Sequence, residues 1–304
     1  MNKLISIIGL TSSGKSDLGI KLAEYFNGEI VSADSRQVYK GLDYCSGKVT
    51  ADEQKIVPHH LLDVENLGVQ FTLYDFQSLA YSAIDDIIQR NKVPFLVGGT
   101  GLYSRAVVEG YNLESSSPDA ELREKLENLS LNELKDICKK LGLSLDDEVT
   151  SRRLIRLIEK SNCNINDKTK NPNNPRYEVL QIGIMWSREK IYERIKLRLE
   201  SRMPNMIKEI EELIAGGVDV EFLKSLGLEA KCVAGYLLGE YSSYEEFFEE
   251  LYKQERHFAK RQQTWYNKEK NLIWLDAEDN LFENAKKLIS DFLAKKWLHQ
   301  KLED

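Results

Sequence analysis

The sequence predicts an α/β fold: a parallel sheet flanked by helices, with an inserted all-helical domain. Short β-branched runs alternate with longer helical patterns, which is typical of such a sheet. A glycine-rich turn directly follows the first apolar run. Between about residues 112 and 175 the periodicity becomes all-helical and charged. The 304 residues are enough for one large or two modest domains.

The elements follow from these patterns in order. Strands are predicted at residues 4–8, 29–33, 93–97, 179–185 and 272–275. Helices are predicted at about residues 14–26, 73–90, 188–214, 244–266 and 281–297. Residues 1–111 plus 176–304 are expected to form the core with C-terminal helices, and residues 112–175 the insertion. Its Asn/Pro-rich stretch at 162–175 is expected to be a mobile loop.

Composition narrows the class of protein. No apolar run approaches the roughly 20 residues that span a bilayer, so no membrane association is expected. The four cysteines are far apart and lack CxxC spacing, which favours a reduced, cytoplasmic, soluble protein. The net charge is −7, yet residues 151–203 hold 13 basic and 6 acidic side chains. This local excess could attract a polyanion or could be an ordinary solvated helix face.

Residues 9–16, GLTSSGKS, match the phosphate-binding pattern G-x-x-x-x-G-K-[ST] between a predicted strand and a predicted helix. The core is therefore expected to be a P-loop NTPase-like sheet. Backbone N–H groups and the helix N-terminus would point at phosphate oxygens, Lys15 would add a cation, and Ser16 could reach Mg²⁺. The motif indicates a diphosphate but does not specify ATP. The residues expected to bind it are Gly9, Thr11, Ser12, Ser13, Gly14, Lys15 and Ser16.

Residues that follow two further predicted strands are candidates for a catalytic or ligand-binding role. The 93–97 strand leads into Gly98-Gly99-Thr100, without the Asp that a P-loop ATPase would place there. Thr100 is either a ligand-facing hydroxyl or part of a plain turn. Asp34 follows the 29–33 strand and should face the bound phosphates, because strand carboxyl ends line the ligand crevice. It is either a proton acceptor or a structural turn residue.

His59 and His60 are consecutive in the sequence, and no third metal ligand is evident near them. Packing and hydrogen bonding are therefore expected for this pair, and metal binding is not.

Basic and aromatic side chains indicate a nucleic-acid partner. Arg152 and Arg153 each lie about one helical turn from Arg156. Residues 259–266, AKRQQTWY, combine cations, amides and aromatic rings. Such groups suit a folded RNA with splayed bases, although each segment alone could be a solvated face.

Together these motifs resemble the tRNA dimethylallyltransferase family of bacterial type. The resemblance runs from residue 4 to residue 276 and includes the P-loop and residues 32–43, 58–63, 97–103, 234–236, 259–265 and 274–276. The chain departs from the family pattern at Arg36, at residues 44–49 and near Met206.

The resemblance implies transfer of a dimethylallyl group from dimethylallyl diphosphate, with Mg²⁺, to the exocyclic amine of an adenosine. That adenosine would lie 3′ to the anticodon in tRNAs that read codons starting with U. Asp34 and Thr100 match the catalytic positions, and Ser16 the metal ligand. The positions that match tRNA contacts are Asp34, Ser35, Arg36, Gln37, Thr100, Arg123, Arg152, Arg153, Leu154, Ile155 and Arg156. The expected partners are the tRNA anticodon stem-loop and dimethylallyl diphosphate, and a monomer is expected.

Three alternatives stay open from the residues. An adenylate prenyltransferase acting on free nucleotide would not need the basic insertion. A small-molecule P-loop kinase would use the P-loop and Asp34, but not the 98–100 turn. An RNA-binding protein with a degenerate P-loop would not need an intact Gly14-Lys15-Ser16.

Overall fold

The computed structural model describes residues 1–113, 120–145, 149–162 and 173–300. The chain divides into two compact units, Met1–Tyr111 with Asn174–Asp304, and Asn112–Asn173. The predicted mobile loop falls mostly on residues 163–172, outside the described residues.

The larger unit is built on a six-stranded sheet in which every pairing is parallel, with strand order β3-β2-β4-β1-β5-β6. The predicted parallel sheet is thus confirmed. The strands are β1 (Asn2–Gly9), β2 (Gly28–Ser32), β3 (His59–His60), β4 (Val93–Gly98), β5 (Tyr177–Met185) and β6 (Leu272–Asp276). The helices described along the whole chain are α1 (Lys15–Tyr25), α2 (Ala51–Ile56), α3 (Leu73–Gln89), α4 (Gly101–Val108), α5 (Ala120–Glu127), α6 (Leu131–Lys140), α7 (Ser151–Asn162), α8 (Arg188–Ala215), α9 (Val220–Ser225), α10 (Leu228–Leu237), α11 (Tyr244–Tyr266) and α12 (Leu281–Gln300).

Strand β1 lies inside the sheet and is buried on both faces, which explains its continuous apolar sequence. Ile5 and Ile7 pack in the cluster that includes residues of α1 and α12. Leu4 points to the other face and packs with residues of α3 and α4. Because both faces are covered, β1 holds the phosphate-binding turn on a rigid support.

The short elements were missed in the sequence. β3 has two residues, too few for periodicity, and pairs with Ile30 and Val31 of β2. The helices α2, α4, α9 and α10 have ten residues or fewer. The capping box of Thr50 and Glu53 marks the start of α2 and could have revealed it.

The carboxyl ends of β1, β2 and β4 lie at one edge of the sheet. The backbone N–H of Ala33 donates to the carbonyl of Val97 at 2.8 Å, and that of Thr100 donates to the carbonyl of Ala33 at 3.2 Å. A Cβ on Gly98 would clash with the Ala33 backbone. Glycine at this position therefore allows the segments that carry Asp34 and Thr100 to approach each other.

The smaller unit contains α5, α6 and α7 around its own apolar core. Leu154 and Ile155 belong to that core and are only 0% and 5% exposed. The expectation that these two residues contact tRNA is therefore corrected for their side chains, since the same helical face cannot pack the core and bind RNA.

Within the described part of the chain, no helix is long and apolar enough to cross a membrane.

A buried carboxylate fixes β2 against its neighbours. Glu29 is 2% exposed and accepts hydrogen bonds from Arg90, from Lys92 at 2.7 Å and from His60 at 2.8 Å. His59 Nδ1 lies 2.7 Å from the carbonyl oxygen of Val57. Both histidines thus have the hydrogen-bonding roles expected from the sequence. The Arg90 guanidinium, with Lys92 and His60, holds the pKa of Glu29 well below its usual range.

Replacing Glu29 should therefore destabilise the fold in a pH-dependent way. Because the folded pKa lies below the unfolded value, the carboxylate stabilises the protein at neutral pH, and this contribution fades as pH falls below about 4. We expect Glu29→Gln to lower the free energy of unfolding by about 2 kcal/mol at pH 7. Urea denaturation at several pH values measures the loss, with Glu178→Gln on an exposed position of β5 as the control. Equal stabilities at pH 7, or a difference that does not shrink in acid, would contradict this role.

Candidate active site

The P-loop connects β1 to the N-terminus of α1. Ser12 and Gly14 have φ of 60° and 86°, so the chain takes left-handed conformations as it wraps. A Cβ on Gly9 would lie 2.7 Å from the Ser13 Oγ, which explains why glycine opens the turn. Burial, followed by the neighbouring Arg198 guanidinium, lowers the pKa of Lys15 to about 8. A partly buried cation at a helix N-terminus is suited to an anionic ligand.

Helix α8 and the residue Trp186 just before it donate hydrogen bonds to the P-loop. Arg194 Nε donates to the carbonyl of Ser12 at 2.8 Å, and Trp186 Nε1 donates to that of Ser13 at 2.9 Å. Arg198 Nη1 donates to Thr11 Oγ1 at 3.1 Å. The sequence placed these arginines in a basic segment with RNA as a possible ligand, whereas the structure places them on the P-loop. Their spacing of four residues was the available signal.

Helix α11 connects the P-loop to the turn after β4 through buried hydrogen bonds. Gln262 is buried; its Oε1 accepts from the backbone N–H of Thr11 at 2.8 Å, and its Nε2 donates to the carbonyl of Gly99 at 2.9 Å. The Tyr266 hydroxyl donates to the same carbonyl at 3.0 Å. Sequence reasoning grouped both residues with an RNA contact and missed this brace. A single amide thus fixes the distance between the P-loop and the turn after β4.

The side chains after β2 and β4 are held together. Asp34 Oδ1 accepts from the backbone N–H of Arg36 at 3.0 Å, and Thr100 Oγ1 accepts from that of Ser35 at 3.1 Å. Although Thr100 is the N-cap of α4, its side chain makes no capping hydrogen bond. Gln37 Nε2 donates to the carbonyl of Gly47 at 3.1 Å. The polar groups of these two strand ends are therefore fixed by backbone contacts.

Two cavities border the P-loop. The inner cavity, of about 560 Å³, and the outer cavity, of about 820 Å³, are both within the size range of ligand pockets. Residues lining the inner cavity include Asp34, Ser35, Arg36, Gln37, Thr100, Glu255, Arg261 and Trp265. Residues lining the outer cavity include Ser12, Gly14, Asp17, Arg194 and Arg202. Lys15, Ser16, Gly47 and Arg198 line both, so the cavities meet at the P-loop.

Two carboxyl groups beside the P-loop were missed in the sequence. Glu255 of α11 and Glu229 of α10 line the inner cavity. Glu255 is 3% exposed, and burial, together with Glu229, raises its pKa to about 8. No motif marks either residue, because the fold alone brings the two helices together.

The structure brings the P-loop residues, residues 34–37 and Thr100 into one place. Arg123 and residues 152–156 belong to the smaller unit. There Arg123 Nε donates to Glu159 Oε1 at 2.7 Å, and Arg156 Nη1 donates to Glu159 Oε2 at 3.1 Å. Arg152 and Arg153 are exposed.

The side chains at the P-loop offer few metal ligands. Among the described residues, no group of three or more His, Cys, Asp and Glu could hold a metal. The Ser16 hydroxyl lines both cavities at the start of α1. A hydroxyl oxygen beside a phosphate site fits Mg²⁺, which commonly binds few protein ligands and completes its shell with phosphate oxygens and water.

Comparison with known proteins identifies the family. A profile of the family described as IPP transferase matches residues 37–269. The chain is 40% identical to the tRNA dimethylallyltransferase 2 of Shewanella sediminis, over 95% of this chain and 98% of that protein. The protein of the same name from Treponema denticola is 40% identical, over 88% and 92%.

Solved structures of similar proteins support the same family assignment. The tRNA isopentenylpyrophosphate transferase of Bacillus halodurans superposes with a TM-score of 0.73 at 34% identity, covering 100% of this chain and 99% of that one. A eukaryotic dimethylallyltransferase acting on tRNA gives a TM-score of 0.78 at 23% identity, covering 97% and 80%, which supports the fold alone. Since the profile and the relatives each span most of the sequence, and as the motifs predicted, this chain belongs to the IPP transferase family.

Proposed function

We propose that the protein transfers a dimethylallyl group from dimethylallyl diphosphate to the exocyclic amine of the adenosine 3′-adjacent to the tRNA anticodon, releasing diphosphate. The tRNAs would be those that read codons beginning with U. One observation carries the proposal: a single P-loop borders both an outer cavity and an inner cavity that contains Asp34 and Thr100. A donor in the outer cavity and an acceptor in the inner one could therefore meet at Lys15. The names of the relatives support the same reaction.

The donor's diphosphate fits the outer cavity. Backbone N–H groups of residues 12–16, the N-terminus of α1, Lys15 and Arg198 all favour an anion there. Mg²⁺ held by Ser16 would supply further charge neutralisation. Diphosphate is already a good leaving group, so the protein's task is to orient the donor and stabilise the charge that develops on the departing oxygens.

The acceptor's adenine fits the inner cavity. As the amine nitrogen bonds to C1 of the prenyl group, the bond from C1 to the diphosphate oxygen breaks and its electron pair leaves with the diphosphate. The nitrogen must then lose a proton, and Asp34 is the group we assign to accept it. The hydrogen bond from the Arg36 backbone orients the Asp34 carboxylate, and Thr100 lies close to Ser35 of the same segment.

The base must leave the anticodon stack to enter this cavity, which costs a few kcal/mol. Ser35, Arg36 and Gln37 line the cavity and would contact the nucleotides beside the extruded base. Arg152 and Arg153 would bind tRNA phosphates from the smaller unit. We expect the protein to act on the tRNA anticodon stem-loop as a cytoplasmic monomer.

The reaction can be tested with labelled dimethylallyl diphosphate and Mg²⁺, offering unmodified tRNA, AMP and ATP as separate acceptors. We expect label in tRNA alone, at the adenosine next to the anticodon. Label in free nucleotide would instead indicate an adenylate prenyltransferase. Phosphate transfer from ATP without prenyl transfer would indicate a kinase.

Asp34→Asn should keep the shape of the site and remove the proton acceptor. We expect single-turnover transfer to fall by about 10²–10⁴-fold, with tRNA affinity nearly unchanged. Rapid-quench kinetics and tRNA binding measure the two effects, and Asp291→Asn on α12 serves as the exposed control. Parallel losses in rate and affinity would show that Asp34 is a structural residue.

Exposed arginines of the smaller unit should control tRNA affinity. We expect the double variant Arg152→Ala with Arg153→Ala to weaken tRNA binding and to make its salt dependence shallower, with donor affinity unchanged. Arg156 is left intact because it pairs with the buried Glu159. Binding measured between about 50 and 200 mM salt tests this.

The matched control removes two exposed lysines of the same unit, Lys139→Ala with Lys140→Ala on α6. A loss of tRNA affinity no greater than in this control would remove Arg152 and Arg153 from the RNA interface.

A further inference from the structure

Arg202 is a half-buried arginine that lines the outer cavity together with P-loop residues and has no role in the reaction proposed above. It lies one turn after Arg198 on α8 and lines the outer cavity. Its Nη2 atom is buried and has no hydrogen-bond partner among the described residues. A buried charged donor without a hydrogen-bond partner is costly inside a protein. Near a phosphate-binding loop, such a donor is suited to an anionic ligand.

The two guanidinium groups converge on Gly47. A Cβ at Gly47 would lie 3.2 Å from both Nη atoms of Arg202 and would clash with Nη2 of Arg198. Gly47 itself is held by Gln37, which donates to its carbonyl. The missing side chain therefore leaves room for two like charges to approach the same residue, which lines both cavities.

The carboxyl groups nearby do not fully compensate these charges. Glu229 and Glu255 attract Arg202, but burial and the repulsion of Arg198 outweigh them, and the pKa of Arg202 is lowered. Burial and Glu229 also hold a proton on Glu255 near neutral pH, because its pKa is raised to about 8. The pair of carboxyl groups thus carries less than its full negative charge, and Lys15 adds a further cation. The three partly buried cations, Lys15, Arg198 and Arg202, therefore favour a multivalent anion.

We propose that Arg202 is a second guanidinium ligand of the donor's diphosphate, acting beside Arg198 from the α8 side of the P-loop. This inference rests on the proposed function and adds a residue to its diphosphate site. Planar guanidinium groups bind phosphate oxygens through two parallel N–H donors, so Arg202 would use the donor that the unliganded protein leaves unpaired. It would also stabilise the free diphosphate after the prenyl group has left.

Arg202→Met removes the charge and keeps a side chain of similar length. We expect it to weaken the binding of inorganic pyrophosphate in the presence of Mg²⁺ by roughly 10–100-fold, measured by calorimetry. The KM for dimethylallyl diphosphate should rise in parallel, while tRNA affinity stays unchanged. Arg202→Lys should recover part of the pyrophosphate affinity, because an ammonium keeps the charge without the planar fork. Lys196→Met, an exposed position on the same helix, is the matched control.

The outcomes separate the inference from the reaction it rests on. If the unaltered protein does not prenylate tRNA, the proposed function fails. If it does, and Arg202→Met binds pyrophosphate as tightly as the Lys196→Met control, the inference is wrong. Should Arg202→Met not fold by circular dichroism, Arg202→Gln decides by the same criterion. Weaker binding by Met and Gln with partial recovery by Lys would support the proposal, because a purely structural arginine gives no such order.

Discussion

The site depends on the buried amide of Gln262. Its oxygen accepts from the Thr11 N–H in the P-loop, and its nitrogen donates to the Gly99 carbonyl in the turn after β4. One rigid group thereby sets the separation of the phosphate-binding loop from the turn that carries Thr100. An amide suits this position because it offers a donor and an acceptor at once, and both are used away from water. An acid in its place could not donate to Gly99 without taking up a proton.

The distribution of charge around this brace follows from burial. Lys15 and Glu255 both have pKa values shifted to about 8, the lysine downward and the carboxyl upward, because burial penalises each charged form. Asp34, which follows β2, lines the inner cavity and not the outer one, whereas Lys15 lines both. The P-loop with Lys15 and Arg198 would hold a diphosphate, and the Asp34 carboxylate would face an entering amine, so the groups that a prenyl transfer requires lie on one site.

Much of this could be predicted from the sequence, and the exceptions have physical reasons. Five of the six described strands, the P-loop and the position of Asp34 could be predicted because each is local: an apolar run, a spaced motif or a residue after a strand. β3 and α2 were missed because two or six residues carry almost no periodicity. The family motif implies RNA contacts at Leu154 and Ile155, but a sequence motif does not show which helical face is buried. Gln262 and Glu255 interact with residues far away in the chain, and only the folded structure shows those neighbours.

The most direct test of the account is the crystal structure of the protein with a non-reactive thio analogue of dimethylallyl diphosphate and an unmodified anticodon stem-loop. The account predicts the diphosphate at the outer cavity, in contact with Lys15 and the backbone N–H groups of residues 12–16. It predicts the extruded adenine in the inner cavity, with its exocyclic nitrogen within hydrogen-bond distance of Asp34. An adenine bound in the outer cavity, or an amine beyond the reach of Asp34, would contradict it.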